Sequence, residues 1–208
     1  MIGFFGGSFD PIHLGHLNNA QQLKQQLKLS QLFLMPCHLP VHKNNLKFST
    51  KQRLEMLEHA IQSFPTLEID TREIKRQTDS YTIDSLKQIN QEHPKQSICL
   101  IIGMDSFNDL SSWKDYQDFY QYCHLIVLER PGQQKPATIY NYTSAISRDE
   151  LTKQATGLIY FAKTDAYDIS SSQIRGILFD DATDGKMSAN QSLAGLLPSS
   201  VINYLEKL

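Results

Sequence analysis

The sequence predicts an α/β fold, a doubly wound and mainly parallel sheet with helices on both faces. Two observations carry this expectation. Short apolar runs bounded by turn residues alternate with longer segments whose apolar residues recur every three or four positions, the pattern of successive βαβ units. The composition suits a packed core: of 208 residues, 40% are hydrophobic and 10% aromatic, and 20% charged is too few for an extended disordered chain. At roughly 150 residues per domain the length accommodates one domain. No internal repeat, low-complexity tract or linker divides the chain, so residues 1–208 are read as a single domain whose carboxyl-terminal helical part begins at about residue 170.

Each element follows from local pattern. Ile2 to Phe5 is the first strand, followed by a turn rich in Gly, Ser, Asp and Pro. From His13 to about Leu27, Leu14, Leu17, Ala20, Leu23 and Leu27 keep helical spacing, so an amphipathic helix follows directly. Leu32 to Met35 is a second strand, stopped by Pro36. Thr50 can cap a helix with Leu54, Leu57 and Ile61 on its core face, and Leu67 to Asp70 is a short third strand. Ser80 or Thr82 opens a helix carrying Ile83, Leu86 and Ile89, with Pro94 just past its end. Ile98 to Ile102 has the composition of a fully buried strand. Leu125 to Leu128 is another, ended by Glu129-Arg130-Pro131-Gly132. Residues 133–156 are polar and receive no element. Leu158 to Phe161 is the last strand, and a helix from Ser199 to about Leu205 closes the chain.

Charge and cysteine content set limits on function. Twenty Lys and Arg against 22 Asp and Glu leave a net charge of -2, without the basic footprint of a nucleic-acid binder. Three cysteines, Cys37, Cys99 and Cys123, form no C-x-x-C pair and suit a reducing compartment. The first residues lack a basic leader, and no stretch approaches the roughly eighteen apolar residues of a membrane helix. A cytoplasmic protein without nucleic-acid or membrane partners is expected; oligomeric state is left open.

The strongest chemical signal is Gly6-Gly7-Ser8-Phe9-Asp10-Pro11-Ile12-His13-Leu14-Gly15-His16, between the first strand and the first helix. In an open parallel sheet the carboxyl end of a strand is where ligands bind. Gly6 and Gly7 can adopt backbone angles closed to other residues and leave amides free to face an anion. A helix beginning near Pro11 points its positive end the same way. His13 and His16, three residues apart, share one face of the first turn, and Gly15 between them would let the backbone approach a flat group such as a nucleobase. Turn geometry and a solvated histidine pair account for the same residues without a ligand. The P-loop pattern is absent.

A second signal is Ile169-Ser170-Ser171-Ser172-Gln173-Ile174-Arg175, just after Asp165. Consecutive hydroxyls suit a helix amino terminus, and Arg175, a turn later, offers a planar cation matched to phosphate oxygens. Alone, a serine-rich cap followed by arginine also reads as structure.

Together the two motifs resemble the nucleotidylyltransferase superfamily, which carries an H-x-G-H element and a late I-S-S-T-x-I-R sequence. Ser8 and Ser172 stand where the family commonly has threonine, and both keep the hydroxyl. Within the superfamily the chain is similar to the bacterial nicotinate mononucleotide adenylyltransferases, from Met1 to about Phe179. Pro40-Val41-His42-Lys43, Ser80-Tyr81-Thr82-Ile83-Asp84, Gly103-Met104-Asp105-Ser106 with Trp113, and Glu129-Arg130-Pro131-Gly132 carry the closer match. Trp113, the only tryptophan, lies among polar residues and suits stacking on a ring; a partly exposed surface tryptophan is the alternative.

The resemblance implies a Rossmann-like fold and a transfer of AMP from ATP to nicotinate mononucleotide in NAD biosynthesis. It implies an ATP site at Gly6, Gly7, Ser8, Phe9, His16, Ser171 and Arg175, with His13, His16, Lys43 and Arg175 acting on the reacting phosphates. It implies a nicotinate-nucleotide site at Lys43, Tyr81, Thr82, Asp105, Trp113 and Arg130, and Mg2+ or a similar divalent ion carried by ATP rather than bound by a metal site of the protein. Two rivals are weighed: phosphopantetheine adenylyltransferases, which share both main motifs but against which the 80–84 and Trp113 segments speak, and a non-catalytic nucleotide sensor on the same fold, in which His13, His16 and Arg175 need not persist. Residues 180–198, including Lys186, fit the family pattern less well and carry no phosphate role.

Overall fold

Strands β1 (Ile2–Gly7), β2 (Gln31–Pro36), β3 (Glu68–Ile69), β4 (Ile98–Gly103), β5 (His124–Leu128), β6 (Thr143–Ala145) and β7 (Leu158–Ala162) form one sheet in the order β3-β2-β1-β4-β5-β7-β6. Every pairing is parallel, with Ile2 beside both Gln31 and Ile98 and Leu100 beside Leu125. The computed structural model describes residues 1–38, 46–76, 79–129, 139–165, 167, 169–179 and 192–208. Lys43, Arg130 and Lys186 therefore lie outside the described residues.

The period of two along the central strands feeds two cores. Phe5, Cys99, Ile101, Ile126 and Leu128 face one side, against Leu17, Ala20 and Leu23 of α1 (Leu14–Gln26), Met56, Leu57 and Ala60 of α2 (Thr50–Ile61) and Val201 of the last helix, Ser199–Leu205. Ile2, Phe4, Ile98, Leu100, Ile102, Leu125 and Val127 face the other, against Ile83, Leu86 and Ile89 of α4 (Thr82–Glu92). Both faces are thus covered, as a parallel sheet requires, and the doubly wound architecture expected from the sequence is present.

Several details differ from the sequence reading. Ser49, not Thr50, caps α2: its hydroxyl accepts from Gln52 N while Gln52 Oε1 accepts from Ser49 N, a reciprocal capping box. The buried face of α2 is Arg53, Met56, Leu57 and Ala60, whereas Leu54 and Ile61 are half-buried. The polar stretch 133–156 contains an edge strand, β6, and a short helix, α6 (Arg148–Leu151), because β6 needs only one partner and has little apolar content to reveal it. Two more short helices, α3 (Arg72–Arg76) and α5 (Met104–Asn108), also escape periodicity, being too brief to repeat it. The helix opened by Ser171 is α7 (Ser171–Phe179).

The strand order reverses between β1 and β4, which both pair with neighbours on opposite sides, so the crevice at their carboxyl ends is the topological switch point. Gly6 is the last residue but one of β1 there and Gly103 ends β4, and a Cβ placed on either would meet no heavy atom beyond its chain neighbours within 4 Å.

Candidate active site

The first motif folds around the end of β1. His13 is the N-cap of α1 rather than a residue of its first turn, and its Nδ1 accepts from His16 N at 3.3 Å. An accepting Nδ1 carries no proton, so the neutral ring carries its proton on Nε2. The two imidazoles stack with centroids 3.6 Å apart, and the His16 ring meets Phe9 and Phe5 edge-on at 5.3 and 6.1 Å. A Cβ on Gly15 would meet His13 Nδ1 at 3.0 Å and Cε1 at 3.1 Å. The missing Cβ of Gly15 thus leaves room for the imidazole of His13.

The glycines and the helix end also act differently from expectation. The left-handed conformation anticipated at Gly6 and Gly7 falls on Phe9, at φ 46°. Gly7 is required because the Phe9 ring lies where its Cβ would be, with contacts of 3.0–3.3 Å. Phe9 is buried, so its side chain is part of the core and only its backbone is left to face a ligand. At the start of α1, Leu14 N donates to the Leu196 carbonyl at 2.9 Å and His16 N is used by His13. The helix end thus offers an anion its field more than its hydrogen bonds.

The second motif is stapled onto the first. Ser171 Oγ donates to the Pro11 carbonyl at 2.9 Å, and Arg175 Nη1 donates to the Asp10 carbonyl at 2.7 Å. Ser170 Oγ caps α7 by accepting from Gln173 N at 3.1 Å, while Ser172 Oγ accepts from Arg175 Nη2 at 2.9 Å. Asp10, 2% exposed, accepts from Lys47 N and Phe48 N at 3.0 and 2.9 Å and lies 3.8 Å from Arg175 Nη1. The sequence reading passed over Asp10, although an acidic residue inside a Gly-Ser-Phe-Asp-Pro turn is a signal for backbone anchoring.

It also passed over Arg53, which is 0% exposed. Its Nη1 donates to the Ser8 carbonyl at 2.6 Å, and its Nη2 to the His38 carbonyl at 2.8 Å and Thr50 Oγ1 at 3.2 Å. Arg53 so ties the loop after β1 to the loop after β2. Among the described residues it has no carboxylate within ion-pair range, and its charge adds positive potential to the sheet's carboxyl edge. Its one visible signal was a basic residue three and four positions before Met56 and Leu57 on an apolar helix face.

Of the other residues singled out in the sequence, Thr82 opens α4, with Tyr81 just before it, Asp105 lies in α5 after β4, and Trp113 follows α5. Tyr81 is the N-cap of α4 and makes no side-chain cap bond. Its own amide donates to the Asp79 carbonyl at 3.2 Å, so the donors that α4 itself leaves unused begin at Thr82 and Ile83. Asp105 is exposed in the first turn of α5, directly after Gly103. Trp113 is half-buried, with one edge on Phe119 at 6.2 Å, and its neighbour Lys114 places Nζ 4.4 Å from the Tyr81 ring centroid. Ser80 Oγ accepts from His38 N at 2.8 Å and ties α4 to the end of β2.

No three His, Cys, Asp or Glu side chains are grouped as a metal centre among the described residues. None of the three cysteines forms a disulfide, and burial pushes Cys99 and Cys123 up to about 12, which leaves them unreactive. No described helix is long and apolar enough to cross a membrane.

The chain matches the cytidylyltransferase-like family model over residues 4–177. It is 54% identical over 208 residues to the "probable nicotinate-nucleotide adenylyltransferase" of Vesicomyosocius okutanii, covering 100% of this chain and 95% of that one. It is 41% identical over 211 residues to the protein of the same description from Psychromonas ingrahamii, covering 99% and 94%. Its fold is similar to that of Plasmodium falciparum nicotinic acid mononucleotide adenylyltransferase complexed with NaAD, with TM-score 0.74, 18% identity and coverage of 99% and 94%.

Proposed function

The chain belongs to the cytidylyltransferase-like family, among the nicotinate-nucleotide adenylyltransferases, and we propose that it transfers AMP from ATP to nicotinate mononucleotide, releasing pyrophosphate. The observation that carries the reading is the junction of the two motifs, in which Ser171 and Arg175 bond to the Asp10-Pro11 turn beside the stacked His13 and His16.

The mononucleotide phosphate oxygen attacks the α-phosphorus of ATP, a P–O bond forms, and the bond to the pyrophosphate oxygen breaks. The nucleophile is already an anion, so no side chain need remove a proton from it. Rate enhancement comes from alignment and from positive charge held against the reacting phosphates. His13, through Nε2–H, and His16 face the α-phosphate, and Arg175, fixed by Asp10 and Ser172, binds the phosphates of ATP. The backbone of Gly6, Gly7, Ser8 and Phe9 and the Ser171 hydroxyl line the ATP side. Lys43 and Arg130 add cations from segments outside the described residues. ATP enters as its magnesium complex, the ion belonging to the substrate.

On the other flank the helix-end amides beginning at Thr82 receive the pyridine carboxylate, Asp105 accepts from ribose hydroxyls, and Trp113 stacks on the pyridine ring. The reducing interior of a cell is the setting, in line with three cysteines outside any disulfide. Pyrophosphate release measured with ATP and nicotinate mononucleotide, nicotinamide mononucleotide or phosphopantetheine tests the proposal. Turnover is expected with the nicotinate nucleotide, and turnover with phosphopantetheine in its place overturns it.

A further inference from the structure

Beneath the Tyr81–Thr82 turn lies a buried polar cluster that the reaction itself does not use. Glu73 of α3 is 4% exposed and Ser85 of α4 is 0% exposed. Ser85 Oγ donates to Glu73 Oε1 at 2.8 Å and accepts from Arg76 Nη2 at 3.1 Å. Just before the helix, Ser80 Oγ accepts from His38 N at 2.8 Å, a separate tie to the end of β2. Glu73 therefore holds Ser85 in the first turn of α4, while Ser80, on the other side of the 81–84 turn, is held by the end of β2. Burial pushes the Glu73 carboxyl above its ordinary range, against the opposing effect of the Ser85 hydrogen bond and the nearby Arg76 charge. A carboxylate so buried and bonded to the first turn of a helix has a mechanical role.

We infer that Glu73 is a positioning residue for recognition of the pyridine carboxylate: by holding Ser85, together with the Ser80–His38 tie on the other side of the turn, it fixes the direction of the first α4 amides, and so sets the preference for the acid over the amide. The inference rests on the reading of those amides as the carboxylate's anchor. A nicotinate carboxylate takes charge-assisted hydrogen bonds whose strength depends on donor direction, whereas an uncharged carboxamide gains less from the same donors. Loosening the clamp therefore weakens the acid selectively.

The experiment compares wild type with Glu73→Gln, which keeps the shape, and Ser80→Ala, which removes one tie from a partly exposed position. Steady-state constants for nicotinate mononucleotide, nicotinamide mononucleotide and ATP are measured together with amide hydrogen exchange over residues 79–85 without ligand. In Glu73→Gln the KM for the nicotinate nucleotide rises about tenfold, while kcat and the KM for ATP stay within about twofold. Ser80→Ala moves the same constants in the same direction, and exchange of the Thr82 and Ile83 amides quickens in both variants. Unchanged exchange, or equal rises in KM for both pyridine nucleotides and ATP, overturns the inference. Quickened exchange in variants of an enzyme whose wild type does not prefer the nicotinate nucleotide upholds the clamp and overturns the reading of its ligand. If Glu73→Gln does not fold, Ser80→Ala decides by the same readouts.

Discussion

Arg175 and Asp10, 165 positions apart in sequence, are joined by a 2.7 Å hydrogen bond from Nη1 to the Asp10 carbonyl and a 3.8 Å approach of the same nitrogen to the Asp10 carboxylate. The contact spans the whole sheet in sequence and almost nothing in space. It makes the late serine-arginine motif a wall of the site opened by the first motif. Nη2 is occupied by Ser172 Oγ, so the guanidinium plane is fixed in two directions. A lysine ammonium cannot reproduce both bonds from one point charge. Arg175→Lys is expected to lower kcat/KM for ATP by about 10- to 100-fold with little change in melting temperature. Wild-type kcat/KM in a folded variant removes Arg175 from the ATP site.

His16 stacks on His13 and gives its backbone N–H to the His13 ring. His16→Ala keeps that backbone bond and removes only the imidazole, so it isolates the side chain's action on the reacting phosphates. We expect kcat to fall by about a hundredfold or more while circular dichroism and melting stay near wild type. A kcat within about threefold of wild type refutes the role.

Trp113 buries one edge against Phe119 and remains half-exposed. A residue buried for stability alone would affect both substrates equally on truncation. Trp113→Ala should raise the KM for nicotinate mononucleotide by about tenfold and leave that for ATP within about twofold. Equal losses for the two substrates identify a structural tryptophan.

His124 lies on the far side of the sheet from this chemistry and governs acid stability. It is 0% exposed; Nδ1 accepts from Leu158 N at 3.2 Å and Nε2 lies 3.1 Å from the Gln154 carbonyl, so the ring is neutral with its proton on Nε2. Burial lowers its pKa below the ordinary value of 6.5, against the raising effect of the Gln154 and Leu151 backbone. A base whose folded pKa is depressed contributes its full stability above its unfolded pKa and loses it as pH falls toward the folded value. Stability should therefore decline below about pH 6.5, by at most about 1.4 kcal/mol per pH unit from this one group. Urea unfolding between pH 7.5 and 5 should give a shallower slope for His124→Gln than for wild type. Equal slopes assign the acid sensitivity to other groups.

The sequence by itself determined the order and kind of the long elements, because strands and helices that face a core must repeat apolar residues at period two or near 3.6. It determined the two motifs too, since His13-Leu14-Gly15-His16 and Ser171-Ser172-Gln173-Ile174-Arg175 are local strings. Short elements such as α3 and β6 stayed hidden, being shorter than two periods of the pattern that would betray them. The tertiary structure alone decided which polar groups are buried and what they hold. Arg53 and Glu73 look in sequence like ordinary surface charges, yet both are almost wholly enclosed. Their partners, Ser8 and His38 in one case and Ser85 in the other, come from neighbouring elements brought together by the sheet. A buried charge is tolerated only where such partners converge. Convergence is a property of the three-dimensional fold, which is also why a chain of net charge -2 can place Arg53, Arg175 and two histidines at one edge of its sheet.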